Sequence, residues 1–305
     1  MDSYSIVTGA NDAYFETLLD FIQHYIEQGI PCENLVIYDL GFNDANKLIL
    51  ESKAMTHNFI IKQFEYAKYP DHVNLKKYYG LYCSYAFKPI CIYNEALVCQ
   101  GKIVIWLDTA VRFSKTDIHE IITSTIKYGI YSPIGNTAGS IESIELNFPQ
   151  STKAIGLTKE EHNTQLASRY ACIIAVQYNN DCGKYILDKW YEYALTRDVI
   201  MPDGSSRNNH RQDQTILSAL MFLWEKHHNM KFDSIRFGLQ FCNKINVPNL
   251  LIGLLPYKLV SNTGQQLAII YSKSIDEATT DYINRKQMTT DEFQKSFRVM
   301  NASVY

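Results

Sequence analysis

The chain is predicted to be an α/β protein with a single Rossmann-like, mostly parallel sheet flanked by helices. Three observations predict it. Short apolar runs alternate with segments of helical period through the first third of the chain, and each run ends in a polar, turn-forming group. No internal repeat or clear linker interrupts the 305 residues. Strands alternating with helices call for right-handed crossovers and a sheet covered on both faces.

Tyr4 to Thr8 is the first strand, ending in Gly9-Ala10-Asn11-Asp12. Tyr14, Phe15, Leu18, Leu19, Ile22, Tyr25 and Ile26 then recur on one helical face, until Gly29 and Pro31 stop the helix. Leu35 to Asp39 is the second strand, and Leu40-Gly41-Phe42-Asn43 turns into a helix carrying Ala45, Leu48 and Ile49. Asn58 to Phe64 is the third strand. A tyrosine-rich helix with Tyr78, Tyr82, Tyr85 and Ala86 leads to the fourth strand, Lys102 to Leu107.

Beyond Phe113 the expected elements are a helix over 118–127, a strand over 171–177, a helix over 184–195, a helix from Asp213 to about His227, and a strand over 267–271. One domain over 1–305 is the simplest organisation, with two sub-regions, 1–115 and 116–305.

Composition excludes several classes of function. A formal net charge of -3 gives no basic face for gripping nucleic acid. No apolar run is long enough to span a bilayer. The start, MDSYSIVTGAND, lacks the features of a signal peptide, which points to a soluble, cytoplasmic protein. Seven cysteines without CxxC spacing read as reduced thiols rather than a zinc site. The first strand leads into TGAND instead of GxGxxG, which argues against a dinucleotide-dependent oxidoreductase.

Parallel sheets place ligands at the carboxyl ends of their strands. That rule selects Thr8-Gly9-Ala10-Asn11, Asp39-Leu40-Gly41 and Asp108-Thr109. Asp108 closes a strongly apolar strand and can project into a cleft, or it can serve as a simple turn former. HRQDQ, immediately before the apolar TILSALMFLW run, reads as a helix start facing a cleft.

The segments VTGANDAYFETLL, VIYDLGF, YAFKPICIY and IVIWLDTAVRF, followed by KWYEYALTRDVIMPDGSS and HRQDQTILSAL, resemble glycosyltransferases of the GT-A fold. The nearest resemblance is to a largely uncharacterised glycosyltransferase-like family, and a more distant one is to the glycogenin-like family. The resemblance implies transfer of a sugar from a nucleotide sugar, UDP-linked, to a glycan or glycoprotein acceptor. It also implies that Thr8, Gly9, Ala10 and Asn11 line the nucleotide, with Gly9 admitting its close approach, and that Asp39 sits by the base or ribose. Lys88 and Arg112 would face the diphosphate, beside Thr109. Asp108 would stand where the family has a metal-binding Asp-x-Asp, with His210 as a second ligand for Mn²⁺ or Mg²⁺ or as an acid–base group. Asp213 and Gln214 would lie beneath the sugar or towards the acceptor and Arg211 by the nucleotide sugar, with Asp213, His210 and Lys88 catalytic; residues 1–115 would form the nucleotide-sugar-binding half and 116–305 the acceptor-side half.

The chain departs from the motif at Asp108-Thr109-Ala110, which holds one aspartate instead of two. Neutralisation by Lys88, Arg112 and Arg211 is the metal-free alternative, and a catalytically degenerate binding module is the alternative function. Structural readings stand beside the chemical ones. Lys88 can snorkel from a helix end, Arg112 can pair with a surface carboxylate, Arg211 and Asp213 can form a local cap, and His227-His228 suits a helix C-terminus.

Overall fold

A computed structural model describes residues 4–31, 34–74, 84–99, 101–206, 208–241, 255–262, 266–272, 274–286 and 289–301. The chain divides into two compact units, residues 1–78 with 83–244, and residues 79–82 with 245–305.

The first unit is organised by a six-stranded sheet. Its strands are β1 (Tyr4–Ala10), β2 (Leu35–Asp39), β3 (Ile60–Gln63), β4 (Ile103–Leu107), β6 (Ile130–Tyr131) and β9 (Ile173–Gln177), in the order β3-β2-β1-β4-β9-β6. The first four run parallel, whereas β9 is antiparallel to both β4 and β6. Periodicity finds strands but not their direction, so ACIIAVQ gives no sign of this reversal. The halves expected on either side of residue 115 therefore share one sheet.

The helices arise from the patterns described above. α1 (Phe15–Glu27) buries Phe15, Leu18, Phe21, Ile22 and Tyr25 against Ile6, Ala10, Ile37 and Ile105 on one face of the sheet. α2 (Asp44–His57) starts where the Asn43 side chain accepts from the Asn46 amide and stops at Asn58 in the left-handed region. α3 (Phe87–Val98) begins later than its tyrosine-rich approach suggests: Tyr85 has φ 53, which breaks the helix, while Tyr78 and Tyr82 lie outside the described residues.

After β5 (Val111–Arg112), α4 (Lys115–Tyr128) opens with a reciprocal Ser114–Asp117 capping box and ends at Gly129. The polar stretch that follows holds β7 (Ile134–Asn136), α5 (Ile141–Glu145), α6 (Pro149–Ile155), α7 (Lys159–Thr164) and β8 (Ser168–Arg169). None is long enough to show a period in sequence. α8 (Asp181–Ala194), α9 (Arg197–Ile200) and α10 (Gln212–His228) follow, and β10 (Gln240–Phe241) pairs with β5.

The second unit has a three-stranded antiparallel sheet of β11 (Leu255–Ser261), β12 (Gln266–Ser272) and β13 (Phe297–Asn301), in the order β12-β11-β13. It carries α11 (Ile275–Lys286) and α12 (Thr290–Ser296), and its small core is Tyr257, Leu259, Ala278 and Phe293.

The strand order locates the site. The chain winds outward from β1 to β2 to β3, then returns to place β4 on the other side of β1. That reversal opens a crevice at the carboxyl ends of β1 and β4, where open α/β sheets bind ligands.

Candidate active site

Asp108 follows β4 at the switch point. Its amide donates to the Cys172 carbonyl (2.9 Å) next to β9, and its own carbonyl accepts from the Val111 amide (2.8 Å), closing a tight turn. Trp106 and Asp108 are two apart on an extended segment, so they share a face. The Trp106 indole N–H donates to Asp108 Oδ1 at 2.6 Å. Val7 pairs with Trp106, so the end of β1, which runs on through Gly9 and Ala10, sits beside Asp108 across the parallel ladder.

The centre of the site is Lys88 in the first turn of α3. Its ammonium lies 3.2 Å from Asp108 Oδ1 and 3.3 Å from Asp213 Oδ2, with the Lys88 side chain 7% exposed. This is not a snorkelling stem. Burial works against the charge, but the two carboxylates outweigh it and hold Lys88 charged, well above the usual lysine range. Asp213, in the first turn of α10, is pushed up to about 6, chiefly by burial; Lys88 pulls it down and Asp108 pushes it up. The Trp190 indole on α8 donates to the Asp213 carbonyl at 2.9 Å and fixes that helix start. Burial also pushes the Cys172 thiol up to about 12, so it stays a thiol at neutral pH.

Three segments far apart in sequence thus converge: the end of β4, the start of α3 and the start of α10. Polar atoms that are buried without a hydrogen bond in the described structure include Asn11 Oδ1, just after β1, and Gln212 Nε2, at the start of α10; Asp213 Oδ2 is held by the Lys88 ion pair. Gln212 is also the residue with φ 35, in the left-handed region. A strained backbone and an unsatisfied buried amide each cost ~1–3 kcal/mol, and such costs gather where a ligand is to be met. Trp106 and Gln212 both lie in distinctive segments, IVIWLDTAVRF and HRQDQTILSAL. Their roles depend on a hydrogen bond and a dihedral angle, which composition does not reveal.

Other expected residues fall elsewhere. Thr8 and Ala10 share the face of Ile6, towards α1, and both are buried there. Strand alternation therefore turns their side chains away from Asp108. A Cβ on Gly9 would lie 3.2–3.3 Å from Leu40, Trp106 and Tyr38, so this glycine serves close packing. Asp39 Oδ1 accepts from the Gly41 and Phe42 amides (2.7 and 2.8 Å), and Lys47 lies 3.4 Å from its other oxygen. Gly41 has φ 123, which the turn requires. Thr109 is buried; its carbonyl and that of Val111 accept from Arg112 Nη1 (2.7 and 3.1 Å), which docks the half-buried Arg112 on the Asp108 turn. Arg211 Nη1 donates to the His210 carbonyl at 3.4 Å. Half-buried Gln214 bonds through its backbone to Arg211 and Ser218.

His210 does not join the cluster, and this corrects its expected role as metal ligand and acid–base group. The ring is fully buried, with Nδ1 beside the Phe148 amide (3.3 Å) and Thr215 Oγ1 (3.2 Å), and Nε2 beside Ser151 Oγ (3.3 Å) and the Ile200 carbonyl (3.0 Å). Both nitrogens are engaged in tying α6, α9 and α10 together. Burial lowers its pKa to about 4. A histidine depressed in the fold stabilises above its unfolded pKa of about 6.5, and that contribution is lost as pH falls towards 4. Full loss is about 3 kcal/mol. Thermal melts from pH 7 to 4 should show His210→Gln with a flatter acid limb than the parent chain.

Among the described residues no group of three His, Cys, Asp or Glu gathers to hold a metal. At this site the carboxylates of Asp108 and Asp213 are already taken by one ammonium. The residues present do not fit a resident divalent ion, which wants several oxygen ligands. His228 stacks on Trp224 at 3.9 Å and its Nδ1 meets the Trp224 carbonyl, a helix-end role.

Residues 2–93 match a family model described as a protein of unknown function (DUF1647). No curated protein matches the chain. Among solved structures it is similar to the galactosyltransferase LgtC in complex with donor and acceptor sugar analogues (15% identity, 71% of this chain, 70% of that one, TM-score 0.41). It is also similar to the mannosyltransferase Ktr4p from S. cerevisiae (12% identity, 72% and 65% covered, TM-score 0.44) and to mouse xyloside xylosyltransferase 1 (10% identity, 75% and 83% covered, TM-score 0.40). The sheet order and its switch point, not these likenesses, carry the fold. Among the described residues no helix is long and apolar enough to cross a membrane.

Proposed function

We propose that this chain is a glycosyltransferase of the GT-A type, moving a hexosyl or N-acetylhexosaminyl group from a UDP-linked donor to a hydroxyl of a glycan or protein acceptor. One observation carries the reading: Lys88 joins the carboxylate at the sheet's switch point to the carboxylate at the start of α10. Such a cluster suits a polyhydroxylated ligand whose reacting carbon must be held in one orientation.

In this reading Asp108, the more exposed carboxylate, and Asp213 accept hydrogen bonds from sugar hydroxyls. Lys88 fixes both carboxylates and keeps their combined charge low. Asn11 and Asp39 lie towards the nucleoside, with Thr8, Gly9 and Ala10 supporting that turn through the backbone. Arg112 and Arg211 face the departing diphosphate, where charge that develops in the transition state gains most from a preorganised cation. Thr109 and Gln214 flank these groups. In this reading Arg112 and Arg211 neutralise the leaving group without a resident Mn²⁺ or Mg²⁺.

Thermal melting with UDP, GDP and AMP, each with and without Mn²⁺, tests the donor class. A rise with UDP alone among the three supports the reading, and its size with and without Mn²⁺ reports any metal contribution. No rise with any nucleotide would favour a degenerate binding module.

A further inference from the structure

We infer that Gln212 is a specificity-determining contact, whose carboxamide N–H donates to a hydroxyl oxygen of the sugar on the bound donor. The inference rests on the glycosyl-transfer reading and deepens it. Gln212 is 2% exposed, has φ 35 at the first residue of α10, and its Nε2 meets no acceptor in the described structure. Glycine would occupy that backbone without strain, and an apolar side chain would fill the space without an unsatisfied donor. The chain keeps neither economy at the residue directly before Asp213.

The chemistry around it favours a hydroxyl over a phosphate oxygen. Asp213, the next residue, and Asp108 are both carboxylates on the one Lys88 ammonium, so this side of the site suits a hydroxyl, and the phosphates are left to Arg112 and Arg211. A sugar hydroxyl both donates and accepts. It can donate to a carboxylate while a neighbouring hydroxyl accepts from the Gln212 amide, which pairs the buried Nε2. A site built to bond a hydroxyl rejects an analogue that lacks it, because the amide is then left unpaired.

The test compares the parent chain with Gln212→Gly and Gln212→Asn. Titration calorimetry measures affinity for UDP, and kcat/KM is measured across UDP-linked hexoses that differ in one hydroxyl. Gln212→Gly is expected to melt at the same or a higher temperature, to bind UDP within about twofold of the parent, and to lose tenfold or more in kcat/KM for the preferred donor. Its discrimination between hydroxyl epimers should collapse. Gln212→Asn keeps an amide and tolerates the left-handed region, so it should retain part of that discrimination.

Unchanged discrimination in Gln212→Gly would overturn the contact and leave glycosyl transfer standing. Equal losses for UDP and for the nucleotide sugar would also overturn it, by moving the amide to the phosphates. A parent chain that binds neither UDP nor any UDP-hexose would fail the underlying reading and the contact with it.

Discussion

Lys88→Met is expected to destabilise the chain by about 3–5 kcal/mol at pH 8, because it leaves two carboxylates facing each other without a counter-charge. The lysine is buried, with Asp108 and Asp213 both within ion-pair distance. The loss depends on pH in a defined direction. Asp213 is already raised to about 6 in the parent, above its unfolded value of 3.8, so its ionised form is disfavoured in the fold. A carboxyl raised by folding contributes stability below the unfolded pKa, and that contribution is lost as pH rises through the folded one. Removing the ammonium raises Asp213 further. The penalty in Lys88→Met should therefore be largest at pH 8 and shrink towards pH 4. Chemical denaturation at both ends of that range measures it. Adding Asp213→Asn should restore much of the stability at pH 8 without restoring any activity, and a double-mutant cycle isolates the coupling. A pH-independent loss would mean that Lys88 matters for packing alone.

The second large effect is on turnover. Asp108→Asn is expected to lower donor turnover by about 10²–10³, the scale seen when one preorganised polar group is removed from a reacting centre. Stability should barely change. The Asp108 side chain is 38% exposed, and an asparagine oxygen can still accept from the Trp106 indole and from Lys88. Release of nucleotide from the donor, measured beside the melting temperature, separates the two effects. Parent-like turnover would remove Asp108 from the chemistry.

Much of the architecture was legible in the sequence, because a strand or helix shows itself in local periodicity. LVIYD, KIVIWL and the amphipathic face of Phe15 to Ile26 all form the elements their patterns predict. The three groups selected at strand ends follow from the same logic, since the rule needs only strand limits. What the sequence withheld is set by contacts between distant residues. The reversal of ACIIAVQ depends on its partner strand. The engagement of His210 depends on Phe148 and Ser151, some sixty positions earlier. The side chains of Thr8 and Ala10 look away from the crevice because alternation is fixed by the strand's facing helix, α1. The φ of Gln212 has no compositional signal at all.

Most of the candidate site was still reachable, since Lys88, Asp108 and Asp213 each sit in a distinctive segment. The sequence could not say that one ammonium would hold both carboxylates. That geometry joins the single aspartate of Asp108-Thr109-Ala110 through Lys88 to Asp213, far along the chain.

The most direct test of the account is a panel of UDP- and GDP-linked sugars offered to the purified chain, with release of free nucleotide followed in the parent, Asp108→Asn and Asp213→Asn. The account predicts release from a UDP-linked sugar by the parent and its loss in both variants while their folds persist. Release that is unchanged in both variants, or no release from any donor, would contradict it.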